Sequence, residues 1–278
     1  METTDDSVAR SIVESAARAA RLRQRKRVLL WLSWIVIALM LLVTMEVINR
    51  IAGKLVMPSP VEVVRRGIEM TGDGTIPHAL GESLTVLFLG YALAAVTGIG
   101  FGILLGGIPF AGKVFDPFVN AMNSTPGAAF IPLIIVWFGL YTEAKVVVVW
   151  NAALFPILIN TAAGIANANR ELTEMAQSFG AGKRALFWQV MVPDALPSIL
   201  SGLRIGAAIS TVGTVIAELT MAQSGLGGLL VAAGNRFQMD RYFAVVIVLM
   251  ALGTLITALL RYAERRLGRW RVSMAEGR

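Results

Sequence analysis

Five long apolar runs constrain this chain more than any other feature: residues 28–48, 84–105, 146–166, 199–219 and 244–260. Each is long enough to cross about 30 Å of hydrocarbon as a helix of about 20 residues. A sixth stretch, 119–140, is equally apolar but carries Asn120, Asn123, Pro126 and Pro132. Prolines and a few polar groups are tolerated in a span whose neighbours satisfy the freed backbone groups. The sequence therefore predicts six spans and an all-α membrane protein. The runs are continuous rather than alternating, which argues against an outer-membrane barrel. Only 15% of the residues are charged, against about 25% in soluble domains. The first run exceeds the apolar core of a secretory signal, and residues 45–50 offer no small-residue cleavage site.

The same inventory excludes much chemistry. The chain has no cysteine and one histidine, His78. Thiolate metal sites, cysteine nucleophiles and a Ser-His-Asp triad have almost nothing to be built from. No G-x-x-x-x-G-K-[ST] loop is present, so the chain cannot cradle a nucleotide by the P-loop route. Gly98, Gly100 and Gly102 lie inside a span and do not complete a dinucleotide motif. The formal charge of +7 is read as basic flanks beside a membrane, not as a nucleic-acid surface.

Those flanks orient the spans. Lys and Arg gather in the N-terminal tail (Arg10, Arg18, Arg21, Arg23, Arg25, Lys26, Arg27), between spans four and five (Arg170, Lys183, Arg184) and in the C-terminal tail. The opposite side holds only Arg50, Lys54, Arg65, Arg66, Lys145, Arg236 and Arg241. The positive-inside rule then puts both termini in the cytoplasm. Three parts follow: a basic cytoplasmic segment 1–27, a six-span domain 28–266 and a cytoplasmic tail 267–278. Residues 7–27 read as a basic juxtamembrane helix, either an anchor touching anionic lipid or a partner site.

The longest cytoplasmic connection, 167–198, is amphipathic. Leu172, Met175, Ala176 and Phe179 fall on one helical face, and Gly180 is a helix stop. A second helical stretch from Ala185 ends at Pro193, and Pro197 opens span five. On the outer side a short helix is expected from Val61 to Met70. His78 is placed in an outer loop, and residues 224–228 open another.

Within the spans, Gly98, Gly102 and Gly106 repeat every four residues and suit close helix packing, a dimer seam included. In span five, Arg204, Thr211 and Glu218 fall in one arc with Thr214 beside it, opposite Gly202, Gly206 and Gly213. Intramembrane charges usually face a bundle interior or a wet cavity. These four residues are candidates to line a pathway, although Arg204 can instead snorkel and Glu218 lies near the outer end. Asn123, Ser124 and Thr125 either line the path or bond a kinked backbone.

Residues 167–206 resemble the cytoplasmic signature of bacterial ABC importer permeases. Its pattern is E-A-A, three residues, G, nine residues, I-x-L-P. Here it reads Glu174-Met175-Ala176, three residues, Gly180, nine residues, Val190-Met191-Val192-Pro193. The departures at Met175, Val190 and Val192 are apolar for apolar. Other stretches are similar to the nitrate/sulfonate/taurine branch: Met57-Pro58-Ser59-Pro60, Phe155-Pro156, Asn160-Thr161, Gly202-Leu203-Arg204-Ile205, Ala217-Glu218, Gly225-Leu226-Gly227 and Glu264-Arg265-Arg266 with Trp270.

The resemblance implies a type I importer permease fold with six transmembrane helices and a cytoplasmic coupling helix–turn–helix, in the bacterial cytoplasmic (inner) membrane. It implies a second permease subunit, here a homodimer, a pair of ABC ATP-binding subunits and an external solute-binding protein. No enzyme activity or cofactor is expected in this chain; ATP and Mg would sit in the ATP-binding subunits. The implied coupling residues are Glu174, Met175, Ala176, Phe179, Gly180 and Pro193. The solute would be small and polar or anionic. A lone Glu such as Glu174 is otherwise a solvated helix face. The rivals are a secondary transporter driven by an ion gradient, whose inverted repeats are not evident, and a membrane-embedded enzyme, for which no His, Cys or carboxylate cluster exists.

Overall fold

The computed structural model describes residues 29, 31–221 and 224–267. Expectations for the segment 1–27 and for the tail beyond 267 fall outside them. Two compact units, Met1–Val64 and Arg65–Arg278, are described separately.

In the first unit, α1 (Trp31–Ala52) is a 22-residue helix of mean hydropathy 2.2. Gly53 ends it in the left-handed region, and Asn49 Nδ2 donates 2.6 Å to the Met57 carbonyl across the turn. The next helix, α2 (Pro60–Gly72), starts in this unit and ends in the second; it has Pro at its first position and a carboxylate, Glu62, that accepts the Ser59 amide. Ser-x-x-Glu with Pro at N1 is a helix-start signature. The short helix expected near residues 61–70 is therefore present.

The second unit is a helical bundle. Its remaining helices are α3 (Thr75–Gly107), α4 (Pro109–Ser124), α5 (Ile131–Phe138), α6 (Thr142–Ala166), α7 (Arg170–Ser178), α8 (Lys183–Leu186), α9 (Val192–Met221), α10 (Gly225–Asn235) and α11 (Met239–Leu267), with a 3-10 turn over Gly127–Phe130. Among the described residues of the two units, five helices, α1 being one of them, are long and apolar enough to cross a membrane. The sixth expected span is broken. The α4 helix stops at Ser124, Thr125 and Pro126 take extended backbone, and α5 continues at 89°. Pro126 supplies the reason: it disfavours helical geometry in the residue before it, so the chain leaves α4 at Thr125. Counting the bent pair as one span gives six.

Three sequence expectations are corrected. His78 lies on α3, not in a loop, because the helix already begins at Thr75 behind Asp73, whose carboxylate accepts the Thr75 amide at 2.9 Å. That bond holds the Asp73 carboxyl below its usual pKa. Residues 224–228 begin an apolar helix, α10, which is too short to cross a bilayer. Pro193 does not end its helix, and Pro197 does not open a new one. A π turn over Phe187–Met191 joins α8 to α9, making a continuous 39-residue helix from Lys183 to Met221. The widened turn relieves the clash that Pro193 would otherwise make with the turn before it.

Glycines set the core. Along α3, Gly90, Gly98, Gly102 and Gly106 face α6, where added Cβ atoms would meet Val149, Ile157, Thr161 and the Ala162 carbonyl at 2.6, 2.9, 2.5 and 2.5 Å. Along α9, Gly202 and Gly206 meet α6 in the same way, at Asn160 and Ile157. The four-residue repeat is thus packing inside the chain, against α6. Small residues let helix backbones approach where lipid provides no hydrophobic drive for association.

Two hydroxyls in this core, Thr161 Oγ1 and Ser210 Oγ, are buried without a hydrogen-bond partner. An orphaned buried hydroxyl costs about 1 kcal/mol or more. Thr161→Val keeps the shape against Gly102 and should raise the thermal unfolding midpoint by about 2–4 °C. A lowered midpoint in a detergent melt would contradict this.

Candidate functional site

Three polar features stand out, and each is built by a different break in the helical pattern. The first is the exposed segment between α6 and α9. Asn169 caps α7 with its side-chain oxygen, accepting the Glu171 and Leu172 amides at 2.8 and 3.4 Å. At the other end Gly180 has φ +82°. The Ala181 amide donates to the Ala176 carbonyl and the Gly180 amide to that of Gln177, at 3.0 and 2.9 Å. This is a Schellman stop, which needs a residue at ease in the left-handed region. The Asn169 amide also donates 2.8 Å to Asp194 Oδ2, tying the start of α7 to the start of α9.

At the C-terminal end of α7, Phe179 is 86% exposed, and on the helix Leu172 and Met175 also lie open. Among the described residues this apolar face is not covered. Glu174 pairs with Arg170 at 2.7 Å, both side chains being solvent-exposed. Such an i,i+4 surface pair contributes only a few tenths of a kcal/mol. Pro193 lies apart from this face, in the first turn of α9.

The second feature is the cleft beside the broken span, a cavity of about 330 Å³. Asn123, Ser124 and Thr125 reach it from the end of α4, Asn151 and Phe155 from α6, and Val212 from α9. The Thr125 hydroxyl is already bonded to the Ala121 carbonyl, at 2.9 Å. The side chains of Asn123, Ser124 and Asn151 form no hydrogen bond with any described residue. Of the residues expected along a pathway, Asn123 and Ser124 line this cavity. Arg204, Thr211, Thr214 and Glu218 do not.

The third feature shows where Glu218 and Thr214 go. Thr214 is buried, and its hydroxyl donates to the Ser210 carbonyl at 2.9 Å. Thr211 bonds the Ala207 carbonyl in the same i−4 manner, and Arg204 lies exposed farther along α9. Glu218 is 1% exposed and closes a clasp around the first turn of α10. Its carboxylate accepts the Ser83 hydroxyl at 2.7 Å and the Gly227 amide at 2.8 Å. Ser83 Oγ in turn accepts the Leu226 amide at 2.9 Å, and Glu82 accepts the Gly225 amide at 2.8 Å. Lys145, from α6, donates 2.6 Å to Ser224 Oγ. The free amides of a helix start carry partial positive charge and favour carboxylates. Glycine is required here because a Cβ at Gly225 or Gly227 would run into Glu218.

Sequence reasoning passed over Glu82, Ser83, Lys145 and Asn151. Lys145 and Glu218 lie at the same end of neighbouring spans, and opposite charges at one depth are a usable pairing signal. Asn151 is the only polar residue between Lys145 and Asn160. That too was a signal.

A bundle of apolar helices with a broken span, a polar cleft within it and a capped, uncovered helix between two spans defines a multi-pass membrane transport subunit. The chain belongs to the family described as the binding-protein-dependent transport system inner membrane component, whose model matches residues 98–269. It is the transmembrane permease subunit of an ABC importer. It is 31% identical to the taurine transport system permease protein of Escherichia coli (strain K12) over 80% of this chain and 82% of that one. It is 33% identical to the formylaminopyrimidine transport permease protein of Halalkalibacterium halodurans over 84% and 93%. Among solved structures, the MetNI methionine ABC transporter in an inward-facing conformation shares the fold, with TM-score 0.57 and 21% identity, covering 68% of this chain and 92% of that one. A permease of this family works with ATP-hydrolysing and solute-binding partners.

Proposed function

We propose that two copies of this chain form the translocation pathway for a small polar or anionic solute, of the sulfonate or aminopyrimidine kind named for its relatives. In this reading both termini face the cytoplasm of a bacterial cell, in its inner membrane, and a pair of ABC subunits below them holds ATP and Mg. The observation that carries the reading is α7. It is capped at both ends by its own sequence, yet it leaves Met175 and Phe179 exposed. A helix that presents an apolar face to water gains by docking. Glu174, Met175, Ala176, Phe179 and Gly180 would dock on the ATP-binding subunit, and Pro193 would set the start of α9 behind them. Any such coupling requires contacts that differ between two partner states.

The test is ATP-driven uptake by the assembled transporter in lipid vesicles. Gly180→Val forces a β-branched residue to φ +82°, and Glu174→Lys reverses a charge whose intrachain pair contributes little. Both should insert normally, lose at least tenfold in uptake and stimulate ATP hydrolysis poorly. Full uptake by both variants would reduce the segment to a linker. The orientation is tested by single cysteines, since the chain has none. Thr75→Cys should react with an impermeant reagent from outside the cell, and Gly182→Cys only after the membrane is opened.

A further inference from the structure

We propose that the cavity at the broken span is the solute-contacting site, and that Asn123, Ser124 and Asn151 recognise there, through hydrogen bonds, a small solute without net charge. The proposal rests on the reading of the chain as a solute permease and narrows its solute from polar or anionic to one without net charge. Its size fits: about 330 Å³ lies within the range of small-molecule sites, roughly 300–1,000 Å³. Its chemistry fits as well. Asn151 sits near the middle of α6, and Asn123 and Ser124 at the broken end of α4. Polar groups at membrane depth are costly unless a partner or water meets them, and irregular backbone persists there only where it is buried or lines a cavity. Asn123 and Ser124 are exposed and Asn151 half-buried, and none of the three has an intrachain hydrogen-bond partner, so their donors and acceptors are open to whatever enters the space.

The residues lining the cavity carry no formal charge. An ion entering such a space gives up its hydration with no counter-charge in return. A solute with no net charge that offers both donors and acceptors loses less, because two carboxamides and a hydroxyl answer either kind of group. The apolar wall, Phe155 with Ile209 and Val212, suits its carbon skeleton. The other polar candidates are occupied, Glu218 and Ser83 around α10 and Thr125 and Thr214 by their own helices.

The test uses single cysteines in the full-length permease, assembled with its ATP-binding subunits in lipid vesicles without nucleotide. The probes are methanethiosulfonates bearing a hydroxyethyl, a sulfonatoethyl or a trimethylammonioethyl group, each rate being divided by that on free cysteine. At Ser124→Cys and Asn151→Cys the neutral reagent should react at least tenfold faster than either charged one. Ser210→Cys, buried and outside the cavity lining, should stay unlabelled by all three. A sulfonate reagent within tenfold of the neutral one, or neutral labelling no faster at 124 and 151 than at 210, overturns the proposal. Adding Asn151→Leu to the Ser124→Cys chain should lower the hydroxyethyl-to-ethyl reagent rate ratio at least threefold. An unchanged ratio removes the amide from recognition. No ATP turnover is involved, so this result and that of the α7 variants stand or fall separately.

Discussion

Gly106→Leu should leave almost no folded complex, whereas Gly100→Leu, six residues earlier on the same helix, should be tolerated. A Cβ at Gly106 would lie 2.5 Å from the Ala162 carbonyl and 2.8 Å from Ile165 Cβ, while one at Gly100 meets nothing within 4 Å. A carbonyl cannot rotate away as a side-chain tip can, so α3 and α6 must separate. That separation loosens Gly90, Gly98 and Gly102 as well, because all four sit on one stripe facing α6. Overpacking by one or two methylenes costs about 1–3 kcal/mol where side chains can adjust; a backbone contact multiplied along a shared seam costs more. The helix-propensity gain of Gly→Leu, about 1 kcal/mol, applies to both positions and cancels in the comparison. Size-exclusion chromatography of the two variants, scored as the fraction of monodisperse complex, reads the difference. Equal yields would mean that the α3–α6 seam is not what holds the bundle.

The second large effect belongs to the clasp around α10. Glu218→Ala removes the acceptor of both the Ser83 hydroxyl and the Gly227 amide. Hydrogen bonds to a charged acceptor contribute about 1.5–3 kcal/mol each, so the first turn of α10 should open far more often. Hydrogen exchange should show it: the Gly227 amide is expected to lose at least a hundredfold in protection, with Leu226 following as Ser83 loses its orientation. Glu218→Gln keeps an acceptor in place and should retain most of the protection. These two variants also decide what Glu218 is for. A group that contacted solute would alter uptake in the Gln variant while leaving α10 protected in both; a clasp behaves in the reverse order. Unchanged exchange in Glu218→Ala would remove the clasp from the account.

Much of this architecture was legible in the chain itself. Long apolar runs could only be buried in lipid or in one another, so five membrane-length helices follow from hydropathy alone. Gly180 as a helix stop followed from spacing, because its position after Leu172, Met175 and Phe179 leaves few other ways to end an amphipathic turn. Two kinds of information were not local. Proline was read by its usual rule at Pro193 and Pro197, yet the π turn ahead of them absorbs the misfit, and nothing in Phe187–Met191 announces that by itself. Likewise, helical angle put Arg204, Thr211 and Glu218 on one face, but a face does not say what stands opposite. At the last turn of α9 the neighbour is the start of α10, whose amides take Glu218. Farther along, the broken span lies against the Val212–Gly213 side instead. A wheel drawn on one helix cannot carry that contrast, since it depends on where α10 begins and α4 ends.

The continuous helix from Lys183 to Met221 has a mechanical consequence. At 1.5 Å per residue its 39 residues measure about 58 Å along the chain, with the π turn over Phe187–Met191 widening one turn of it. Its first turns adjoin the α7 segment, and its last turn carries the carboxylate that holds α10. Moved as one body, such a helix would act as a lever: a tilt of about 5° at one end would carry the other about 5 Å sideways. Under the proposed docking at α7, a push there would need no relay of side-chain rearrangements through the bundle. It would have only to lean on one end of a beam whose far tip is tied to the first turn of α10.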